Sequence, residues 1–400
     1  MGLNEGCRFL IFFQMNNEKR YNILIINHRD LTHPDAGGAE VLVHELMAHL
    51  GNEGHKIILL CSGYKGAKKE EVLTDRILLI RIGKQTYFNY FVPFYYLKKL
   101  RDYNFDIIIE CLCKVPSFIP FFAKGKPVLT LIPHLFGTTV FQETNFLVAG
   151  YVFGLEKFVP SVYKNSHFLA ISNDTKDDII KRKISSSDNI QVAYCGIDHS
   201  LYKVDKKVKK YESPTIIYIG RIRKYKRIDL IIKAVNILIE DIPDIQLDII
   251  GAGKHLRALK DLAKKLQIEH HLNFLGFCED SVKIKELQKS HILVQCSPKE
   301  GWGLTVIEGN ACGLPIIASN SPGLREAVQD EITGFLVEHG DVQELADKIK
   351  LLLTDHSLWK KMSENAVQWA KTFTWEGFAQ RTLSVINSKL SPTLCVGEQK

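Results

Sequence analysis

Short apolar runs recur along the chain, each ending in a polar or glycine-bearing loop and followed by residues at helical spacing. The first series falls at 22–27 (NILIIN), 56–60, 77–81, 106–110, 127–132, 167–171 and 190–194. The loop after 22–27 contains Gly37 and Gly38. Leu42, Leu46 and Leu50 then repeat every four residues, with Val43 alongside. A second series falls at 215–219, 247–250, 272–275, 292–296, 315–319 and 334–337. Within it, Ile231, Val235 and Leu238 share one helical face, and Leu256, Leu259, Leu262 and Leu266 another. Strands that are apolar at successive positions are buried on both faces. Their alternation with helices therefore predicts parallel sheets covered on each side. Asp341, with Glu344 three residues later, predicts a capping box for a helix over 342–353.

The two series predict two doubly wound α/β domains of similar size, which suits 400 residues at about 150 per domain. The expected divisions are an extension over 1–20, a first domain over 21–198 and a second over 214–373. Residues 199–213 (HSLYKVDKKVKKYES) are polar and lysine-rich and read as a linker. A last helical segment occupies 374–400. Ligands of such sheets bind at the carboxyl ends of strands, so the expected site is the cleft between the domains.

Composition narrows the class. With 46% hydrophobic and 24% charged residues, the chain is neither disordered nor a polytopic membrane protein. A net charge of +7 suits an anionic small molecule or membrane surface, and is too mild for a dedicated nucleic-acid binder. Nine scattered cysteines without a CxxC pair suggest a reducing compartment, and Cys111 and Cys113 read as buried thiols. No run reaches the roughly 18–20 apolar residues that span a bilayer. The aromatic segments 86–97 and 145–155 fit either membrane contact or, more commonly, core packing.

Four clusters carry candidate chemistry. Glu300 follows the strand at 292–296, and Glu308 lies in the helix expected from Leu304. Gly301 and Gly303 let the backbone approach a ligand. The N–H groups of Gly303, Leu304 and Thr305 would face a phosphate at the helix N-terminus. Arg221, Arg223, Lys224, Lys226 and Arg227 follow the strand at 215–219. A diphosphate needs such charge, and two of the five are expected to face the cleft. Gly37 and Gly38 open the first strand-to-helix loop. His134 follows the strand at 127–132. The plain alternatives are a surface glutamate pair, a solvated basic loop and a core histidine. The chain has no GxGxxG, P-loop or GxSxG motif, and no Asp-x-Asp triplet to hold a divalent metal on a diphosphate.

The chain resembles the retaining glycosyltransferases of family 4, over roughly 21–390. The resemblance rests on EGWGL between Glu300 and Glu308, Gly220-Arg221 with Lys226, GGAE at 37–40, and GLPIIA at 313–318. It implies two facing Rossmann-like domains, the GT-B arrangement, and a metal-independent cytoplasmic enzyme. The co-substrate would be a nucleotide-diphosphate sugar, UDP- or GDP-linked, with mannose, glucose or N-acetylglucosamine, and no other cofactor. Arg221 and Lys226 would hold the diphosphate, Glu308 the ribose, and Glu300 and His134 the sugar. Gly37, Gly38, Gly303, Leu304 and Thr305 would lie against phosphate or sugar. The segment around Trp375 would cross back onto the first domain. Arg227 departs from the family, which usually has glycine there. The implied acceptor is a glycan or a lipid-linked hydroxyl in polysaccharide or glycolipid synthesis. The basic linker and aromatic segments fit peripheral contact with an anionic membrane at the inner face of the plasma membrane. A nucleotide-sugar epimerase and a non-catalytic nucleotide-sugar binder are the other readings.

Overall fold

The computed structural model describes residues 19–390, apart from 113, 114, 124, 136, 138, 139 and 144. Nearly all of the expected extension over 1–20, together with Cys113 and residues 391–400, lies outside the described residues.

The first sheet contains β1 (Asn22–Ile26), β2 (Lys56–Gly63), β3 (Glu70–Thr74), β4 (Ile77–Lys84), β5 (Ile107–Cys111), β6 (Val128–Ile132), β7 (His167–Ala170) and β8 (Ile190–Val192). Its order is β3-β4-β2-β1-β5-β6-β7-β8. The second contains β9 (Thr215–Ile219), β10 (Gln246–Ile250), β11 (Leu272–Gly276), β12 (Ile292–Gln295), β13 (Ile316–Ser319) and β14 (Gly334–Val337), in the order β11-β10-β9-β12-β13-β14. Central strands are apolar on both faces because helices cover both: Ile23, Leu24 and Ile25 of β1 are fully buried. Strand β3 is the exception to parallel pairing. It runs antiparallel to β4 and its sequence, EEVLT, is mostly exposed. Charges on an edge strand discourage pairing with other chains.

The helices that position the site are α1 (Gly38–Asn52), α2 (Phe88–Tyr95), α3 (Ile119–Phe122), α4 (Val140–Glu143), α5 (Phe146–Glu156), α6 (Asn173–Lys181), α7 (Leu304–Ala311) and α8 (Trp375–Leu390). The leucines at 42, 46 and 50 of α1 are buried in the first domain. Helix α8 crosses back and packs on α1. Its Phe378 and Ile386 enter the same core, each contributing about 1.5–3 kcal/mol by burial. Tyr21 Oη donates to Asn387 Oδ1 at 2.6 Å.

Residues 199–213 are not a free tether. Tyr211 N donates to Lys289 O at 3.0 Å, Gln288 Nε2 to Lys203 O at 2.8 Å, and Lys210 Nζ to Ser290 O at 2.6 Å. The segment is thus strapped to the second domain. The outgoing and returning chains meet where Ile197 bridges Thr374. A Cβ on Gly196 would stand 2.1 Å from Thr374 C, so only glycine admits this contact. The capping box at 341–344 is half formed. Asp341 Oδ1 accepts from Glu344 N at 2.9 Å, but the Glu344 carboxylate accepts from Glu338 N at 2.7 Å. The helix runs Val342–Thr354.

Candidate active site

The carboxyl ends of the two sheets face each other, and the loops after β1, β6, β9 and β12 meet there. The β9 loop forms a short 3-10 turn over Lys224–Lys226. Lys226 Nζ pairs with Glu300 Oε1, and both side chains are mostly buried, 13% and 20% exposed. Glu300 N donates to Pro322 O at 2.9 Å. Gly323, at φ +82°, passes so close that a Cβ there would stand 2.4 Å from Glu300 O. Glycine at 323 is therefore required by both conformation and space.

Gly303, at φ +96°, caps α7 without a side chain. Leu304 abuts the first domain, its Cδ1 3.5 Å from where a Cβ on Gly38 would lie. Gly37 N donates to Glu40 Oε2 at 2.6 Å, and Glu40 Oε1 pairs with Arg29 at 3.0 Å. The glycine loop and the α7 N-terminus thus converge, as an anion between them would require. Thr305 Oγ1 accepts from Gln295 Nε2 at 3.2 Å.

His134 lies between Pro133 and Leu135, and both neighbours touch the second domain. A Cβ on Gly301 would stand 2.4 Å from Pro133 O, and Lys299 Nζ donates to Leu135 O at 2.8 Å. Lys299 also reaches Asp178 of α6 at 2.9 Å. Asp178 pairs with Arg182, which pairs with Glu156, whose carboxylate accepts from Gly137 N at 2.8 Å. Glu308 faces Lys283 at 3.4 Å, and Lys283 also holds Asp280 at 2.9 Å and lies over the Tyr202 ring.

Of the five cations after β9, Lys226 turns to Glu300, and the charge of Arg221 is felt by His134. Arg227 sits at φ +51° and pairs with Asp229 at 3.0 Å. That left-handed backbone is where glycine fits most easily, and the Asp229 pair holds the arginine there.

Residues 36–201 match the family described as Glycosyltransferase Family 4, and residues 203–369 match that described as Glycosyl transferases group 1. The chain belongs to the family 4 glycosyltransferases. It is 28% identical over 353 residues to the N-acetyl-alpha-D-glucosaminyl L-malate synthase of Bacillus anthracis, covering 84% of this chain and 89% of that one. It is 23% identical over 373 residues to the phosphatidylinositol N-acetylglucosaminyltransferase gpi3 subunit of Schizosaccharomyces pombe, covering 90% and 79%. The sucrose-phosphate synthase of Thermosynechococcus elongatus superposes with a TM-score of 0.78 at 20% identity, covering 92% and 99%. The fold of this glycosyltransferase is GT-B.

Electrostatics set the protonation states in the transferase site. Burial pushes His134 down to about 4; Glu300 opposes this, while Lys299, Arg221 and Lys226 add to it. Burial would raise Glu300, but Lys226 outweighs it and holds the carboxyl below its usual range. Burial pushes Glu308 up, and Lys283 offsets only part of the rise. His291, at the amino end of β12 and away from the cleft, is also pushed down to about 4, by burial and then by Lys210.

These histidines fix a pH dependence. Unfolded, each takes a proton near 6.5; folded, only near 4. Between those values the unfolded state binds more protons, so stability falls as pH drops from about 6.5 to about 4 and the effect is flat outside that window. Urea midpoints at pH 7 and pH 5 check this. The drop should shrink in His134→Asn.

Several residues of the transferase site had no local signal. Lys283 and Asp178 come from helices distant in sequence. Lys299 directly precedes Glu300 and could have been singled out by that adjacency. Arg81, 3% exposed, donates to Asp30 at 2.8 Å and to Thr32 Oγ1 at 3.1 Å, steadying the loop that leads to Gly37. Burial alone would raise Asp30, yet Arg81 and Thr32 hold it at about 2.

Proposed function

We propose that this glycosyltransferase moves a sugar from a UDP- or GDP-sugar to a hydroxyl acceptor, with retention at the anomeric carbon and without a metal, in cell-surface glycan or glycolipid synthesis. The observation that carries the reading is the buried Lys226–Glu300 pair where the α7 N-terminus, the Gly37–Gly38 loop and His134 converge. Arg221, Lys226 and the N–H groups of Gly303, Leu304 and Thr305 would take the charge that grows on the departing diphosphate. Glu308 would accept from the ribose hydroxyls, Glu300 from the sugar. His134, neutral and therefore able to accept a hydrogen bond, would border the reacting carbon. The bond from C1 to the phosphate oxygen breaks, the acceptor oxygen joins C1 on the same face, and its proton passes to the departing phosphate.

Both relatives are named for N-acetylglucosamine, one with malate and one with phosphatidylinositol. That makes N-acetylglucosamine the first sugar to try and leaves the acceptor to be found. We place the enzyme in the cytoplasm, in peripheral contact with the inner face of the plasma membrane. Among the described residues, no helix is long and apolar enough to cross a membrane.

Thermal shifts with UDP-, GDP-, ADP- and CMP-sugars, without added metal, test the donor. A ligand at 100 times its Kd stabilises by about 2.7 kcal/mol. One donor should shift the wild type and not Arg221→Ala. The anomeric coupling of the product then tests retention. No shift with any donor, or an inverted product, would sink the reading, and conversion of donor alone to its epimer would favour an epimerase.

A further inference from the structure

Helix α7 turns Glu308 inward, and a buried carboxylate needs a cation or donors beside it. Both come from outside α7. Lys283, on the helix Asp280–Lys289, places its Nζ 3.4 Å from Glu308 Oε1 and 3.4 Å from Oε2. The two side chains are 16% and 15% exposed, and among the described residues Lys283 is the cation that pairs with Glu308. Asp280 holds the same Nζ at 2.9 Å but is itself 69% exposed. An exposed pair of that kind contributes little, so it does not explain why the lysine is turned inward.

Tyr202 lies beneath the ammonium, its ring centroid 5.0 Å away, and is buried. Such a ring face attracts a cation. Tyr202 comes from the segment that joins the domains. Lys203 O, next in sequence, accepts from Gln288 Nε2 of the lysine's own helix at 2.8 Å, which fixes the ring under Lys283. Burial would lower the Lys283 ammonium, but Glu308, Tyr202 and Asp280 outweigh it and raise it. Burial pushes Glu308 up, and Lys283 and then the Tyr202 side chain draw it back in part. At 3.4 Å from both oxygens, Nζ stands at the long limit of a hydrogen bond. It lends charge to the carboxylate without using up either oxygen, and a carboxylate has lone pairs for several hydroxyl donors. An arginine fork would occupy both oxygens.

We propose that Lys283, seated on Tyr202, is a positioning residue for Glu308: it holds that carboxylate where ribose hydroxyls donate to it, and so sets a preference for ribonucleotide over deoxynucleotide donors. The inference rests on the transferase reading, which puts the ribose at Glu308.

Isothermal titration of the whole chain with UDP and GDP, and with their 2′,3′-dideoxy forms, tests this. The wild type should bind one ribonucleotide at least about tenfold more tightly than its dideoxy form, as hydrogen bonds to a charged group imply. Lys283→Met keeps the stem over Tyr202 and removes the charge. It should weaken the ribo form by about tenfold, ~1.4 kcal/mol, and the dideoxy form by less than about twofold. In a Glu308→Gln background the same change should have no further effect, because the lysine acts through that carboxylate. Tyr202→Phe keeps the buried ring and drops the hydroxyl, and should give a smaller loss of the same selectivity. It carries the test if melting curves show Lys283→Met unfolded, and unchanged selectivity in it would then overturn the inference. Equal losses for both forms in Lys283→Met would mean a general attraction to the diphosphate or a structural role, and would overturn it. So would a loss that adds to that of Glu308→Gln. All of these leave the transferase reading standing. A wild type that binds ribo and dideoxy forms alike would overturn the inference by removing the ribose from Glu308. One that binds neither nucleotide would fail the transferase reading and take the inference with it.

Discussion

Lys226→Ala is expected to lower the transfer rate by about 10²–10³-fold, the range for losing one preorganised donor to a developing negative charge. The effect should fall on kcat more than on KM, because the charge on the departing diphosphate grows only as the bond breaks. The structure adds a second consequence. Glu300 is mostly buried and its carboxyl is held below the usual range by Lys226. Without the lysine, burial raises that carboxyl, and the sugar contact proposed for it would change as well. Steady-state kinetics of Lys226→Ala, Glu300→Gln and the double variant check this. The two losses should be strongly non-additive. Independent, multiplying losses would mean that the pair does not act as a unit.

Gly301→Ala carries the second large effect. The new Cβ would stand 2.4 Å from Pro133 O and 3.0 Å from Ile171 Cδ1. Pro133 O belongs to the backbone of the other domain, so no side-chain rotation relieves the clash. The domains must separate by a fraction of an ångström or more. A misplacement of about 1 Å in an active site can cost about 10²-fold in rate, and a loss of that order in kcat is expected. Thermal stability should change less, because the core atom that is crowded, Ile171 Cδ1, ends a flexible side chain that can shift by a few tenths of an ångström. Kinetics with a melting curve decide it. A variant with full activity would show that the contact between Gly301 and Pro133 is not part of the reacting state.

The sequence made the strands legible because full burial on both faces writes itself as consecutive apolar residues. NILII and TIIYI could hardly be anything else. Strand β3 was not legible, because an exposed edge strand such as EEVLT has no burial to record. Much of the candidate site was also readable. Glu300, the glycines and the start of α7 form one continuous stretch whose spacing reports a loop-to-helix turn. What the sequence could not show was partnership. Lys299 finds Asp178 across the cleft, and Lys283 finds Glu308 from another helix. The first pair depends on how the two domains dock and the second on how two helices of one domain pack, and nothing local encodes either. Glu344 makes the same point on a small scale: its spacing to Asp341 predicts a reciprocal bond, yet Glu338 N competes for the carboxylate and wins.

The two chain crossings at Gly196 and Thr374 lie side by side, and this has a mechanical consequence. A single tether would let the halves swivel, twist and drift. Two parallel tethers pinned at one point resist torsion and permit mainly one swing, about an axis through the pin. The opposing loops are thereby held to one relative alignment. The register of His134 against Glu300 is thus guided by the path of the backbone as well as by the bonds across the cleft.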